Sequence, residues 1–409
     1  MSEALRRRTA HLGDVEPARS RHAGRRSAVA LTDDLVVGGR ADGGVRAFDR
    51  RTLDEQWWVP GDADDGSVVA VEPVDDGLVV GERGATGTIR CLDRETGLVR
   101  WRLDTAADLG PPQQDSRFFL PFVVALASDG ERCYAAARRY ERDVDARSFE
   151  SVVYAFESDG SVAWRHETDA SPIALAHRDG RLAVAYNRCP GDHRPGLQVL
   201  DAATGAVRTR WDPEAPGERR CGDVSLLPDG AVVASHADYR GYRLDRDGHV
   251  RWRVDLGRPT DVGDETLYAY PNHVHASEGG VVFVTGNTYA TEGRETERLH
   301  PTEHTAFGVT AGGERAWTAD VGGFASGVAA DGDRVAVPGA QHFRTRDAES
   351  HGWQVCDAAG GPVAERRTEG VVAAIDLAGD VVAAVEEPVV YHDEGTERGS
   401  YRVVVTDLD

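Results

Sequence analysis

Lysine is absent from this 409-residue sequence, and all 47 of its Lys and Arg positions are arginine. Methionine occurs once. Against the arginines stand 69 aspartates and glutamates, which leaves a net charge of -22 at neutral pH. A surface dense in carboxylates and free of lysine is what an extreme halophile of the haloarchaeal type is expected to carry, and it speaks to solubility rather than to chemistry. In molar salt the Debye length falls to about 3 Å, so these carboxylates repel one another little. The composition therefore predicts a protein that loses structure when salt is withdrawn. Nucleic acid is a poor partner for so acidic a chain, because molar salt also removes the counterion-release gain of phosphate contacts. The arginine-rich start, Arg6 to Arg8 and Arg19 to Arg26, points the other way and keeps nucleic-acid association as an alternative.

Cysteine is scarce and scattered. Cys91, Cys133, Cys189, Cys221 and Cys356 are odd in number, never adjacent and never spaced as CxxC. This argues against a disulfide framework or a cysteine zinc site and leaves buried reduced thiols. No run approaches the roughly 18 apolar residues of a membrane span, so insertion is not expected. No apolar stretch follows either arginine cluster, as an export leader would require, and the expected location is the cytoplasm. GxSxG, HExxH and glycine-rich phosphate loops are missing as well. No catalytic residue, cofactor or metal is assigned, and the reading leans away from an enzyme while leaving that question open.

What the sequence does have is a repeat. Hydrophobic residues make up 40% of it, enough for a continuous core. Short β-rich runs recur in pairs divided by an acidic glycine turn, as in Val68 to Val71, Asp75-Asp76-Gly77, then Leu78 to Gly81. Ile173 to Ala176, Asp179-Gly180 and Leu182 to Ala185 repeat the arrangement. Each is a strand, a tight turn and a second strand. An outer hairpin follows, clearest in Leu92-Asp93-Arg94-Glu95-Thr96-Gly97-Leu98-Val99-Arg100-Trp101 and again around Asp201 and Gly205. Asp49 with Trp57 marks another copy, and Trp164, Trp252 and Trp317 stand after the turn in shorter ones. Asp49 to Asp93 and Asp201 to Asp245 are both 44 residues apart. A period of that size with four strands per unit is the signature of propeller blades. The tryptophans are read as packing where neighbouring sheets meet.

Tyr401 to Asp407 forms an outer strand without a partner, and Ala4 to Leu12 fits the missing place, which would leave no free sheet edge. The pattern predicts one all-β domain over residues 1–409. Its fold is a β-propeller of eight four-stranded antiparallel blades, with seven as the alternative, closed by an N-terminal strand pairing with a C-terminal strand.

The Asp-x-x-Thr-Gly-x-x-x-Trp core of residues 93–101 resembles the repeat of the pyrroloquinoline-quinone-like (PQQ-like) propeller family. The resemblance implies fold more than function, since the family holds quinoprotein dehydrogenases as well as non-enzymatic members. In the dehydrogenases adjacent cysteines stack on the quinone, beside a calcium ion and a catalytic aspartate. This chain has no adjacent cysteines, so PQQ and calcium are not expected.

In such blades the loops between second and third strands share one face of the disc with the connections between blades. Five long insertions fall there: Arg138 to Ser151, Asn187 to Gly196, Gly286 to Thr305, Gln341 to Gly352 and Glu386 to Gly399. Expansion on one side reads as selection for binding. The candidates are Arg138, Arg139, Tyr140, Asn187, Asn287, Tyr289, His342, Arg344, Tyr391 and His392, residue types favoured in recognition hot spots. His273 and His275 alternate on an inner strand and are read as lining the channel, a weak metal signal with His342 or His236. The expected function is a monomeric cytoplasmic scaffold, without chemistry of its own, that binds an unidentified protein or peptide partner on this face. The alternative is a small-molecule- or quinone-binding enzyme or sensor at the channel mouth.

Overall fold

The computed structural model describes residues 7–408 apart from 20–24, 62–65, 115, 117, 118, 120, 121, 145, 294, 295 and 392–394. It is built from four-stranded antiparallel sheets whose strands pair in chain order. In the first, Ala28–Leu31, Leu35–Gly39, Val45–Asp49 and Glu55–Val59 lie side by side. The strand groups of residues 67–104 and 122–168 repeat this order and are joined by one residue pair, Arg83 with Phe122. Four strands at each of 171–211, 221–255, 265–320 and 329–367 follow. In the last sheet Val371–Ala378 and Val381–Glu387 are followed by Arg402–Asp407, which pairs in turn with Arg7–His11 from the other end of the chain.

Burial explains the hydrophobic pattern. Second strands such as Leu35–Gly39 and Arg181–Arg188 are buried along nearly their whole length, because both faces of each sheet are covered by neighbours. Outermost strands alternate, as in Val162–Thr168, because one face there meets solvent. The apolar clusters sit between successive sheets. One joins Leu182, Val184 and Leu200 to Tyr134 and Val153 of the sheet before. Another joins Val29, Val36 and Phe48 of the first sheet to Val403 and Val405 of the last.

The tryptophans fasten one repeat to the next. Trp57 Nε1 donates to the Arg94 carbonyl at 2.9 Å, Trp164 to Ala202 at 3.0 Å, Trp252 to Ala311 at 2.9 Å and Trp317 to Ala358 at 3.0 Å. Each acceptor lies in the turn of the following repeat. That turn is held by its aspartate: Asp93 accepts the Glu95 and Thr96 amides, and Asp201 those of Ala203 and Thr204. It also needs glycine. Gly97 has φ +72°, and a Cβ there would stand 2.7 Å from the Trp57 ring. Trp101 keeps the position without the hydrogen bond, lying over Gly160 and stacking on Phe156 with ring centroids 4.9 Å apart. All five cysteines are free thiols and buried.

Candidate functional site at the channel mouth

The innermost strands contact one another in sequence, from Ala28–Leu31 through Ser67–Val74, Phe122–Ser128, Ser171–Arg178 and Cys221–Leu227 to Glu265–Ala276. Ala329–Asp331 touches Val371–Ala378, which touches Ala28–Leu31 again. A space of about 260 Å³ lies between the first, second, third and last of these strands, and a cavity of about 590 Å³ shares Arg25 and Val69 with it.

The larger cavity is arginine-rich. Arg25, Arg83, Arg138, Arg147 and Arg188 line it, above an apolar wall that includes Phe122 and Phe149. Three segments bring them together. The expected loop at 138–151 is instead a regular hairpin, with Cys133–Asp143 paired to Ala146–Phe156 out to Asp143 opposite Ala146. Strand alternation then puts Arg138 and Tyr140 on one face and Arg139 on the other. The Arg138 guanidinium lies 4.8 Å from the Phe122 ring centroid and donates to the Ser171 hydroxyl. Among the described residues no carboxylate lies within ion-pair distance of it. Tyr140 stacks on Phe149 at 5.2 Å. Arg139 turns away to Glu150 at 3.3 Å and the Pro111 carbonyl at 3.1 Å.

Arg188 ends the Arg181–Arg188 strand and pairs with Glu218 at 3.1 Å, and Arg147 reaches the same carboxylate at 3.9 Å. Next to it Asn187 is buried, donating to the Cys221 carbonyl at 2.9 Å and accepting from Arg219 at 2.8 Å. Arg25 enters from the chain start and donates to the Ser326 carbonyl at 2.7 Å. Burial and the neighbouring Arg188 push Arg138 down to about 10. Burial, then Arg219 and Arg147, push Arg188 to about 10 as well. Five guanidinium groups thus line one cavity in a chain of net charge -22.

Three innermost strands carry carboxyls, of which Glu72 lines the smaller space. Burial raises Glu72 and Asp223 to about 7 and Asp376 to about 6, with Asp376 adding to the effect on Glu72. Asp223 accepts the Val274 amide at 2.9 Å and Asp376 the Leu31 amide at 2.7 Å. Carboxyls raised by burial thus lie on the same innermost strands that approach the arginine-lined cavity.

Other sequence candidates fall elsewhere. His273 and His275 are half-buried on the innermost strand Glu265–Ala276. Their Nε2 atoms meet the carbonyls of Ala325 at 3.1 Å and Gly332 at 2.9 Å, so they bridge to the sheet whose innermost strand is shortest. Neither His342 nor His236 joins them in a metal cluster among the described residues. His236 instead faces Asn187, and His342 lies with Asn287, Arg344, Glu303 and His304. Tyr289 stacks on Tyr268 at 5.7 Å, with Tyr239 and Tyr270 in the same aromatic group. Tyr391 is no surface residue, being 1% exposed, with its hydroxyl against His351 Nε2 at 2.5 Å, because the segment after Glu387 folds back over an apolar cluster. His392 lies outside the described residues.

Three arginines of the start meet carboxylates: Arg8 pairs with Asp407 at 2.6 Å, Arg26 with Glu387 at 2.7 Å, and Arg7 approaches Glu386 at 3.9 Å. No helix among the described residues is long and apolar enough to cross a membrane.

These features define an all-β propeller of four-stranded antiparallel sheets. A family model described as outer membrane protein assembly factor BamB matches residues 149–284. No curated protein matches the chain. Among solved structures the chain is similar to quinohemoprotein alcohol dehydrogenase ADHIIG from Pseudomonas putida HK5, with TM-score 0.63, 12% identity, and coverage of 97% of this chain and 77% of that one. The quinohemoprotein alcohol dehydrogenase of Comamonas testosteroni gives 0.61 at 12% identity, over 96% and 74%. BamB from Moraxella catarrhalis gives 0.50 at 14% identity, over 93% and 94%. At such identities the likeness shows the fold alone.

Proposed function

We propose that this chain is a binding propeller of eight blades, one for each group of four paired strands, closed where Arg7–His11 joins Arg402–Asp407. Its channel mouth receives an organic anion with a flat apolar body. The observation that carries this reading is the convergence of Arg138 and Arg188, both half-buried, beside Phe122 and Phe149 in one cavity of about 590 Å³, where the charge of Arg188 holds Arg138 down. Ligand cavities run to roughly 300–1,000 Å³, are largely apolar and hold a few convergent polar groups. Guanidinium groups bind carboxylate or phosphate bidentately, and an anion there would relieve their repulsion. The quinone of the similar dehydrogenases is one such anion, but the adjacent-cysteine platform the family resemblance calls for has no counterpart. Cys91, Cys133, Cys189, Cys221 and Cys356 are separate buried thiols, so no redox step is derived.

Native mass spectrometry of protein isolated in molar salt, with thermal-shift titration of aromatic carboxylates (pyrroloquinoline quinone included) and phosphate esters, tests the reading. An anion that stabilises the native protein and not Arg138→Gln supports it. Stabilisation of neither by any anion overturns it.

A second reading rests on the Tyr239, Tyr268, Tyr270 and Tyr289 group, whose rings lie 4.7 to 5.7 Å apart beside the 286–305 insertion. Clustered tyrosines suit a protein partner. A pull-down in molar potassium chloride, with the intact protein beside a variant shortened in this insertion, should capture one protein with the former alone. Equal capture by both removes this face.

A further inference from the structure

The insertions at 286–304 and 340–351 leave neighbouring sheets and meet at three side chains, Glu303, His304 and His342. Glu303 Oε1 lies 3.8 Å from His304 Nε2 and 3.9 Å from His342 Nε2, and one ligating atom from each of the three falls within 4.8 Å of the others. The side chains are enclosed, at 6%, 2% and 11% exposure. The two rings meet edge to face with centroids 4.8 Å apart, so their edges converge instead of stacking. These separations are too long for hydrogen bonds. Bonds of about 2.0–2.1 Å to one ion would set neighbouring ligand atoms roughly 3–3.5 Å apart, so the two distances from Glu303 would contract by less than about an ångström.

We propose that Glu303, His304 and His342 bind one divalent transition-metal ion of the zinc type, which ties the two insertions together on the loop-rich face. Two imidazoles and one carboxylate select zinc, cobalt or nickel over magnesium and calcium, whose preferred ligands are oxygens. The surroundings orient this set. Glu303 Oε2 is taken by the Thr288 hydroxyl and by Arg344 at 3.5 Å, which leaves Oε1 for the centre. His304 Nε2 donates to Asn287 Oδ1 at 2.8 Å, so an ion would replace the proton of this hydrogen bond and the Asn287 oxygen would turn to it as a fourth ligand.

Ligation through Nε2 places the ring proton on Nδ1. In His304 that atom is buried without a hydrogen-bond partner, and the Gly322 carbonyl is the acceptor within reach. In His342 it lies 3.4 Å from the Arg344 and Thr345 amides, long contacts that must open when the ion binds, so the 342–346 turn moves with metal. His304 also holds a left-handed backbone at φ +46°, uncommon for a non-glycine residue and a feature that gathers at functional sites. The other grouping of possible ligands, Asp245, Asp247 and His249, differs, because Asp245 is already occupied by the amides of its own turn.

The test is titration of untagged, chelator-treated protein with Co²⁺ in molar potassium chloride. One ion per chain is expected, with a visible absorption band, displaced by Zn²⁺ and not by Ca²⁺ or Mg²⁺. His342→Ala and Glu303→Gln should each weaken binding about tenfold or more, by analogy with the smaller effects of outer-sphere changes. Absence of a band, or undiminished binding by a folded His342→Ala protein, overturns the proposal. If either variant fails to fold, anomalous scattering from wild-type crystals soaked in Zn²⁺ decides, with a peak among the three side chains supporting the site and a peak only elsewhere, or none, refuting it.

Discussion

The indole nitrogen of Trp57 donates to the carbonyl of Arg94, 2.9 Å away, and so ties the outer strand of one repeat to the turn of the next. The contact leaves no room for a side chain at Gly97, whose added Cβ would meet the ring at 2.7 Å. Similar links at Trp164, Trp252 and Trp317 make stability a matter of nearest neighbours, as in other repeat architectures.

Gly97→Ala should destabilise more than Gly130→Ala. Both glycines have positive φ, +72° and +97°, but a Cβ at Gly130 meets nothing within 4 Å. Gly130→Ala then carries only the backbone cost, about 1 kcal/mol. Gly97→Ala adds overpacking of about 1–3 kcal/mol. Denaturant unfolding in molar salt measures the difference, and equal midpoints would show that the tryptophan contact contributes nothing.

Where the tryptophan is missing, the link should be weaker. Thr209 occupies that place and donates its hydroxyl to the Arg246 carbonyl at 2.9 Å. Thr209→Ala removes one partly exposed hydrogen bond, about 1 kcal/mol or less. Trp164→Ala also removes a large half-buried ring and should cost about 2–4 kcal/mol, toward the lower part of the range for buried aromatics. Paired thermal melts of the two variants check the ordering.

Stability should depend on pH through Asp223. Burial raises its carboxyl from 3.8 to about 7, so the native state holds the proton more tightly than the unfolded chain. The group's contribution is fully present below about pH 4 and is lost as pH rises through 7. His273, 3.8 Å away and pushed down to about 4 by burial, works in the opposite sense, while Arg25 favours the charged carboxylate. Asp223→Asn isolates the carboxyl: the stability of wild type relative to the variant should fall between pH 5 and pH 8. A constant difference in melting temperature across that range contradicts the assignment.

Withdrawal of salt should unfold the protein. With a net charge of -22, lengthening the Debye length from about 3 Å to about 10 Å restores repulsion among the carboxylates. Circular dichroism during dialysis from molar to 0.1 M potassium chloride should lose its β signal, and an unchanged spectrum would contradict the prediction.

The sequence by itself determined the strands, the turns and the propeller class. An aspartate that caps its own turn, a glycine that alone tolerates positive φ, and a tryptophan reaching the next repeat act over short or repeating distances, so Asp93, Gly97 and Trp101 could be read without coordinates. Only the tertiary structure decided which side chains meet. Arg25 and Arg188 share a cavity though 163 positions separate them (188 minus 25), and nothing in the local pattern of either encodes that meeting. The 138–151 segment reads as a loop because its polar residues hide a regular hairpin. Tyr391 reads as exposed because its polarity says nothing about the chain folding back over it. Glu303 and His304 meet His342 because the insertions of two successive sheets converge there, a meeting that no residue spacing records.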